Sequence, residues 1–170
     1  MKSIELRTFT EQEYHDFFRE YISDSFMNSS PFVYNREQIS RSYAYNHGGY
    51  RTDYEHFGIF MEGRPVGSFQ LKRINRNEKK CEFGIILQND SVKDMGIGSE
   101  AIRQSMRIAR DKYGMETLEG ETMSSNTRMI RVFEKLGFSL TETVPSACRL
   151  PDGSIEDRLV YQISLTGERL

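Results

Sequence analysis

The sequence predicts a single domain, residues 1–170, of the α/β (α+β) class, built on a mixed and mostly antiparallel sheet of about seven strands. Three observations lead to this prediction. Three β-like segments joined by short turns indicate an antiparallel meander. A strand–helix–strand segment follows, and such a crossover normally makes its two strands parallel. The length of 170 residues suits one domain with a substantial core.

The composition excludes several classes of protein. Lys and Arg number 23 against 25 Asp and Glu, and a net charge of −2 argues against nucleic-acid binding through bulk electrostatics. No apolar run reaches the roughly 18 residues of a membrane span, and no apolar block follows the first residues as in a secretory signal. Cys81 and Cys148 are the only cysteines, and the three histidines share no ligand spacing. We therefore expect a cytoplasmic protein with no metal, no nucleic acid and no membrane among its partners.

The first part of the chain predicts one strand and two helices. Thr10 followed by Glu13 forms a capping-box pattern, so a helix is expected to begin there. Aromatic residues at helical spacing continue to Tyr21, which predicts that this helix reaches about Ser23. The other predicted elements of this part are a strand at 4–7, a loop at 28–31 and a helix at 36–45.

The meander consists of three predicted strands separated by polar and glycine-containing turns. In the third strand, alternation places Glu82, Gly84 and Ile86 on one face of the sheet. Cys81, the residue before Glu82, is expected on the opposite face. The predicted strands are 57–61, 64–73 and 80–87.

Two helical periodicities dominate the C-terminal half. One apolar stripe runs over residues 98–113 and ends at Gly114. A second stripe over 126–136 is explained by an amphipathic helix with Ser125 or Asn126 as N-cap and Gly137 as C-cap. The remaining predicted strands are 117–123, 139–148 and 155–165.

The segment from Lys93 to Glu100 lies between a predicted strand and a predicted helix. Backbone N–H groups at a helix N-terminus have no intrahelical partner and carry a partial positive charge. Gly96 and Gly98 let a phosphate approach these groups, and Lys93 adds a full charge. The pattern is neither a Rossmann fingerprint, because residue 101 is alanine, nor a P-loop. It is either a phosphate-binding loop or a tight turn.

Taken together, the loop and the second stripe resemble the GCN5-related N-acetyltransferase superfamily. The phosphate signature of that family, Q/R-x-x-G-x-G/A, has its counterpart in Lys93-x-x-Gly96-x-Gly98. The second signature, an Asn followed by an aromatic-Glu-Lys-x-Gly-Phe run, has its counterpart in Asn126 and residues 133–138. The tail at 152–157, with Tyr161, resembles the branch that includes ribosomal-protein N-terminal acetyltransferases.

The resemblance implies the acyl-CoA N-acyltransferase fold, with helices on both faces of the sheet and a splayed parallel pair formed by its fourth and fifth strands. It also implies acetyl-CoA as acyl donor, with the pantetheine arm along the fourth strand and the pyrophosphate on the loop. Arg128 and Arg131 either reach the adenosine 3′-phosphate or form a solvated helix face. The implied cofactor-binding residues are Ile85, Ile86, Leu87, Lys93, Asp94, Met95, Gly96, Ile97, Gly98, Ser99, Asn126 and Phe133.

Four residues depart from the pattern of the family. Lys93 replaces the usual Gln or Arg, which keeps the charge but loses the planar fork. Asp94 stands where glycine is common, and Met95 stands where a basic residue is frequent. Phe133 occupies the position of a tyrosine acid in many members, so the chain lacks that acid there. A thiol with a pKa near ~8.5 gives a thiolate that leaves readily without an acid.

The implied reaction is direct attack of a neutral amine on the thioester in a ternary complex. It needs a base, because a lysine-type amine has a pKa near ~10.4, and an oxyanion donor, for which a backbone N–H near Ile86 is expected. Glu82 is the predicted catalytic base, because it precedes the thioester position on the fourth strand. Taken alone, such a strand carboxylate also fits a salt bridge. The other candidates are Glu119, Glu121, Asp157 and Tyr161.

The acceptor is expected to be a primary amine, either a protein or peptide N-terminus or a small molecule. Five tyrosines lie within residues 34–54, and they either line the acceptor side or pack helices onto the sheet. Members of the family often pair, so a homodimer is among the expected partners. The alternative function is a non-catalytic acetyl-CoA-binding sensor or interaction module.

Overall fold

Seven strands form one sheet in the computed structural model, which describes residues 2–24 and 30–167. The strands are β1 (Ile4–Arg7), β2 (Glu55–Met61), β3 (Arg64–Asn75), β4 (Lys80–Leu87), β5 (Thr117–Met123), β6 (Ser139–Arg149) and β7 (Ile155–Ser164). The helices are α1 (Glu11–Arg19), α2 (Arg36–His47), α3 (Ile97–Tyr113) and α4 (Thr127–Leu136), with a 3₁₀ turn at Asp90–Val92.

The sheet is mixed, as the sequence predicts. Its spatial order is β1-β2-β3-β4-β5-β7-β6. All neighbouring strands are antiparallel except β4 and β5, which are parallel and are joined through α3. The crossover in the middle of the chain therefore produces the one parallel pair among the described strands.

The larger hydrophobic core lies between the sheet and α3. Ile102 and Ala109 of α3 are fully buried, and they belong to the same cluster as Phe69 and Leu118 of the sheet. Burial of one large apolar side chain stabilises the fold by about 1.5–3 kcal/mol. This core fixes α3, and with it the loop that precedes α3, against β4.

A second, aromatic core lies on the opposite face of the sheet, under α1 and α2. His56 of β2 contacts Phe9 and Tyr14 there, whereas the next residue, Phe57, belongs to the larger core. Successive residues of a strand point to opposite faces, so the two cores lie on opposite sides. Helices thus cover both faces, as expected. The buried members of the second core are Phe9, Tyr14, Phe17, Ile39 and Phe60.

The prediction that α1 extends to Ser23 is wrong, because the helix ends at Arg19. Contacts with Gln88, which follows β4, explain the early end. The side chain of Gln88 donates to the carbonyl of Phe17 at 3.1 Å, and the amide of Ile22 donates to the carbonyl of Gln88 at 2.9 Å. The chain leaves the helix in order to run along the end of β4.

The other predicted boundaries agree with the structure to within two residues. The two-residue differences are at the start of β2, which begins at Glu55, at the end of α2, which is His47, and at the end of β3, which is Asn75. Residues 28 and 29 of the predicted loop lie outside the described residues, and residues 30 and 31 belong to no helix or strand. Among the described residues, no helix is long and apolar enough to cross a membrane.

Candidate active site

A cleft opens where β4 and β5 separate. The two strands pair only at their first positions, Lys80 with Thr117, Cys81 with Leu118 and Glu82 with Glu119. Beyond this point β4 continues to Leu87 without a partner on that side, while its other edge stays paired with β3. The unpaired edge of β4 offers backbone N–H and C=O groups to an extended ligand. The splayed pair implied by the resemblance is therefore present.

The loop between β4 and α3 ends in a geometry that suits a phosphate. Gly96 is the N-cap of α3 and has φ +77°, and no side chain caps the helix at this end. The backbone amides of Ile97, Gly98 and Ser99 therefore begin the helix with no capping oxygen, which is the arrangement that binds anions. A Cβ atom added to Gly98 would lie 3.7 Å from Ile85 Cδ1, so these amides lie beside β4. The residues present fit the pyrophosphate of acetyl-CoA.

Lys93 forms ion pairs with two aspartates of the chain. Its Nζ lies 2.7 Å from Asp90 Oδ1 and 3.7 Å from Asp24 Oδ2, and only 17% of its side chain is exposed. The lysine thereby connects the segment after α1 to the loop that precedes α3. Binding of the pyrophosphate by Lys93 stays a prediction.

Asp94 and Arg128 join the loop to α4. Asp94 has a left-handed backbone, φ +60°, and its Oδ1 lies 3.2 Å from the Arg128 Nε. The guanidinium compensates the negative charge that would otherwise oppose a bound pyrophosphate. Met95, the next residue, is 42% exposed.

Asn126, the N-cap of α4, and Phe133 of α4 both make contacts with other residues of the chain. Asn126 caps the helix by accepting from the amide of Met129 at 3.2 Å. The Phe133 ring is fully buried and stacks on Tyr161, with ring centroids 4.4 Å apart and an angle of 7° between the planes. The phenol ring of Tyr161 thus lies beside Phe133, the position where many members of the superfamily that this sequence resembles carry a tyrosine. Contact of Asn126 and Phe133 with acetyl-CoA stays a prediction.

Three of the candidate bases lie together at the point where the cleft opens. Carboxylate oxygens of Glu82, Glu119 and Glu121 lie within 4.8 Å of one another. The sequence placed Glu119 and Glu121 on one face, and the parallel register of β4 with β5 brings Glu82 to them. Three carboxylates at this distance are also enough to bind a cation. Each of them, however, already lies next to a basic side chain that compensates its charge.

The basic partners come from three strands. The Glu82 carboxylate, whose side chain is 11% exposed, accepts from Arg73 Nη1 at 3.0 and 3.3 Å. Glu119 lies 3.4 Å from the Lys80 Nζ and accepts from Gln162 at 2.6 Å, and Glu121 lies 3.6 Å from the Arg158 Nε. These carboxylates therefore do form salt bridges, as the alternative interpretation expected. Glu82 nevertheless lies at the point where the cleft opens.

The fourth carboxylate candidate, Asp157, serves the hairpin of β6 and β7. Its Oδ1 accepts from the amide of Ser146 at 3.0 Å, and its carbonyl accepts from Ser124. Ser146 has φ +53°, so the aspartate stabilises an irregular residue of β6. This use favours a structural function for Asp157.

Cys81 is not a nucleophile. It lies in the larger core, on the face opposite to Glu82, as alternation predicts. Burial raises the pKa of its thiol to about 12, so the thiol stays protonated at neutral pH. A covalent acyl-cysteine route has no support.

The tyrosine-rich segment divides between packing and exposure. Tyr34 bonds to His15 Nδ1 at 2.7 Å, Tyr43 donates to the carbonyl of Phe9, and Tyr54 is buried. Tyr45 and Tyr50 are the exposed members of the set. The packing alternative therefore holds for Tyr34, Tyr43 and Tyr54, and lining of the acceptor side by Tyr45 and Tyr50 stays a prediction.

A separate cavity of about 320 Å³ lies between α3, α4 and the end of β7. Arg103, Arg107 and Lys135 line it together with apolar side chains. None of the predicted site residues lines this cavity, so it is distinct from the cleft.

Comparison with known proteins agrees with this geometry. The acetyltransferase (GNAT) domain family matches residues 3–139, and no curated protein matches the sequence. A solved structure of RimL, ribosomal L7/L12 alpha-N-protein acetyltransferase in complex with coenzyme A, superposes with a TM-score of 0.82 and 18% identity, over 96% of this chain and 95% of that chain. Spermidine N-acetyltransferase from Vibrio cholerae in complex with CoA and spermine superposes with a TM-score of 0.80 and 14% identity, over 96% of each chain.

The structural likenesses show the fold, and the sequence match, which covers most of the chain, shows the family. The cleft beside β4 and the uncapped start of α3 are consistent with both. This chain belongs to the GNAT acetyltransferase family, and it is an N-acetyltransferase whose acyl donor is acetyl-CoA.

Proposed function

We propose that the enzyme transfers the acetyl group to a primary amine by direct attack within a ternary complex. The position of Glu82 carries this proposal. Glu82 is the last residue of β4 that pairs with β5, and the unpaired edge of the cleft begins immediately after it. Its carboxylate is largely buried on the face of the sheet that also carries α1 and α2. A base at this point meets an acceptor that enters from the α1 and α2 side.

The donor side of the proposed site consists mainly of backbone groups. The edge of β4 over Ile85–Leu87 would pair with the pantetheine arm, and the amides from Ile97 to Ser99 would hold the pyrophosphate. Acetyl-CoA supplies the electrophilic thioester carbon. These backbone N–H and C=O groups are held in place by the strand and the helix. They need not move when the donor binds, so the site is preorganised for it.

The acceptor amine must lose a proton before or during attack, and Glu82 is the proposed acceptor of that proton. A backbone N–H of β4 near Ile86 is the proposed donor to the oxyanion of the tetrahedral intermediate. Phe133 supplies no acid, because its ring is buried and carries no hydroxyl. The thiolate leaves without one, since thiols have an ordinary pKa near ~8.5.

Thiol release from acetyl-CoA in the presence of a panel of amines and peptides tests the proposal. We expect Glu82→Gln to lower kcat by about 10²- to 10⁴-fold at neutral pH, with little change in KM for acetyl-CoA. The loss should shrink near pH 10, where a lysine-type amine of pKa near ~10.4 is neutral without a base. Glu116→Gln is the matched control, because Glu116 is an exposed carboxylate paired with Lys79.

Two outcomes would contradict the proposal. If Glu82→Gln and Glu116→Gln have equal activity, Glu82 is not the base. If no amine releases thiol while acetyl-CoA still raises the Tm, the non-catalytic sensor is the better account.

The proposed setting is a cytoplasmic protein that forms a homodimer. The composition supports the location, since the chain contains only two cysteines and these are distant in the sequence. Sedimentation equilibrium tests the homodimer directly, and a mass of 19.9 kDa would be that of the monomer.

A further inference from the structure

Two polar side chains of β3, Gln70 and Lys72, lie on the same face of the sheet as Glu82. In the register of β3 with β4, Gln70 is opposite Gly84 and Lys72 is opposite Glu82. Both side chains are half-buried. Within the ranges 2–24 and 30–167, neither side chain has a hydrogen-bond or ion-pair partner. Neither residue stands out in the sequence, because a polar residue in an alternating strand is ordinarily solvated.

Both side chains lean toward the space above Gly84. A Cβ atom added to Gly84 would lie 3.4 Å from Gln70 Oε1 and 3.9 Å from Lys72 Cε. Lys72 therefore turns along the sheet toward Gly84, while Arg73 takes the ion pair with Glu82. Gly84 lies between Glu82 and the β4 segment proposed for the pantetheine arm. An unused amide and an unused ammonium thus converge where the acetyl group and the acceptor amine would meet.

The charges around this point leave Lys72 uncompensated. Each carboxylate of the cluster already has a basic partner, and the pairs are Glu82 with Arg73, Glu119 with Lys80 and Glu121 with Arg158. Lys72 adds one further positive charge beside Gly84. A half-buried ammonium without a counter-ion is stabilised by an anionic ligand and repels a second cation.

We propose that Gln70 and Lys72 bind a carboxylate group that lies next to the amine of the acceptor, so that the enzyme prefers α-amino acids to polyamines and to simple amines. The proposal rests on the proposed function, since it assigns the acceptor class of the same site. The amine faces Glu82, and the carboxylate accepts from the Lys72 ammonium and from Gln70 Nε2. The Gln70 amide makes no hydrogen bond to another described residue that would fix it, so a half-turn exchanges Oε1, which faces Gly84, for the donating Nε2. Glu82 and Lys72 are directly opposite in the register, which suits two groups carried on one carbon atom.

Matched acceptors test the proposal. Several α-amino acids are compared with their amides, with the amines that lack the carboxylate, with short peptides and with spermidine, in the thiol-release assay. We expect kcat/KM for the amino acid to exceed that of its amide and of its parent amine by about tenfold or more, the size of one charge-assisted hydrogen bond. Equal or better use of acceptors without the carboxylate overturns this inference and leaves the proposed function standing. No turnover with any acceptor overturns both.

Variants separate this subsite from general damage. Lys72→Met should lower kcat/KM for the amino acid by about tenfold or more and so remove the preference for the carboxylate, while an unchanged KM for acetyl-CoA shows that the variant folds. Gln70→Leu should reduce the preference partially. Lys79→Met, which removes an exposed lysine of the same hairpin that pairs with Glu116, should keep it. A preference that survives in Lys72→Met contradicts the proposal.

Binding gives a second measurement that does not depend on turnover. In the presence of saturating CoA, the amino acid should raise the Tm of the wild-type protein more than its parent amine does. The difference should disappear in Lys72→Met. Equal shifts for the amino acid and the amine in the wild-type protein would overturn the assignment of Lys72.

Discussion

The guanidinium of Arg73 holds the carboxylate of Glu82 through both of its oxygens, at 3.0 and 3.3 Å. Arg73 has φ +50°, in an irregular part of β3 where the register with β4 shifts between Lys72 and Asn75. A non-glycine residue in this conformation costs roughly 1–2 kcal/mol. The strained residue is the one whose guanidinium contacts the proposed base. This supports a positioning function for Arg73.

Removal of Arg73 should affect turnover more than binding. We expect Arg73→Gln to lower kcat by about tenfold, because Glu82 loses the group that orients it, while KM for acetyl-CoA stays unchanged. Arg73→Lys should recover part of the loss. Arg76→Gln, at an exposed arginine that bonds to the carbonyl of Thr52, is the control. Equal kinetics for Arg73→Gln and Arg76→Gln would remove Arg73 from the account.

The N-cap glycine of α3 should be required for donor binding. Gly96→Glu places an anion at the start of the helix, where the pyrophosphate is proposed to lie, and should weaken acetyl-CoA binding at least 100-fold by calorimetry. Gly114→Glu is the matched control, because Gly114 also has a positive φ, +69° against +77°, but lies at the other end of α3. Both variants should lose about 1–2 kcal/mol of stability. A similar loss of affinity in both would refute the assignment of the loop.

The ion pair between Asp94 and Arg128 should limit the affinity for acetyl-CoA. Asp94→Asn removes the anion beside the loop and frees the guanidinium, so Kd should fall by about two- to fivefold at low salt, the size expected for an exposed pair. The effect should vanish at high salt. Asp111→Asn, which breaks the exposed pair with Arg110, should leave Kd unchanged. A weaker affinity in Asp94→Asn would show that the carboxylate helps to hold the donor.

Acid should destabilise the fold partly through His56. Burial, together with a smaller contribution from the neighbouring His47, lowers the pKa of His56 from 6.5 to about 3. Below pH 6.5 the unfolded chain binds a proton at this residue and the folded chain does not, so stability falls as the pH decreases from about 6.5 to about 3. Urea unfolding at pH 7 and pH 4.5 should show a loss that is smaller in His56→Gln than in the wild-type protein by about 2 kcal/mol. An identical loss in both proteins would contradict this account.

The sequence was sufficient where local signals decide the structure. Alternation in β4 separates Cys81 from Glu82, and the capping pattern at Thr10 and Glu13 is present with both of its hydrogen bonds. Distant pairings could not be predicted in this way. Gln88 ends α1 across 71 positions of the chain, and the register of β4 with β5 brings Glu82 to Glu119.

The candidate site shows the same division. The glycine spacing at 96 and 98 predicted the uncapped helix start, because it depends only on residues that are adjacent in the chain. Lys93 pairs with the nearby Asp90 and also with Asp24 of the segment after α1, and Asp94 pairs with Arg128 of α4. The two partners that are distant in the chain could not be predicted from the sequence. The convergence of Gln70 and Lys72 on Gly84 depends on the register of β3 with β4. The sequence predicts that these two strands pair, but it does not predict which residues are opposite each other.

The most direct test of the central claim is hydrogen–deuterium exchange with and without acetyl-CoA. The claim is that the edge of β4 beyond Glu82 and the start of α3 hold the donor. It predicts that acetyl-CoA slows amide exchange over residues 85–87 and 96–99 and leaves the hairpin of β6 and β7 unchanged. Slower exchange confined to the cavity between α3, α4 and β7, with no change at 85–87 and 96–99, would contradict the claim.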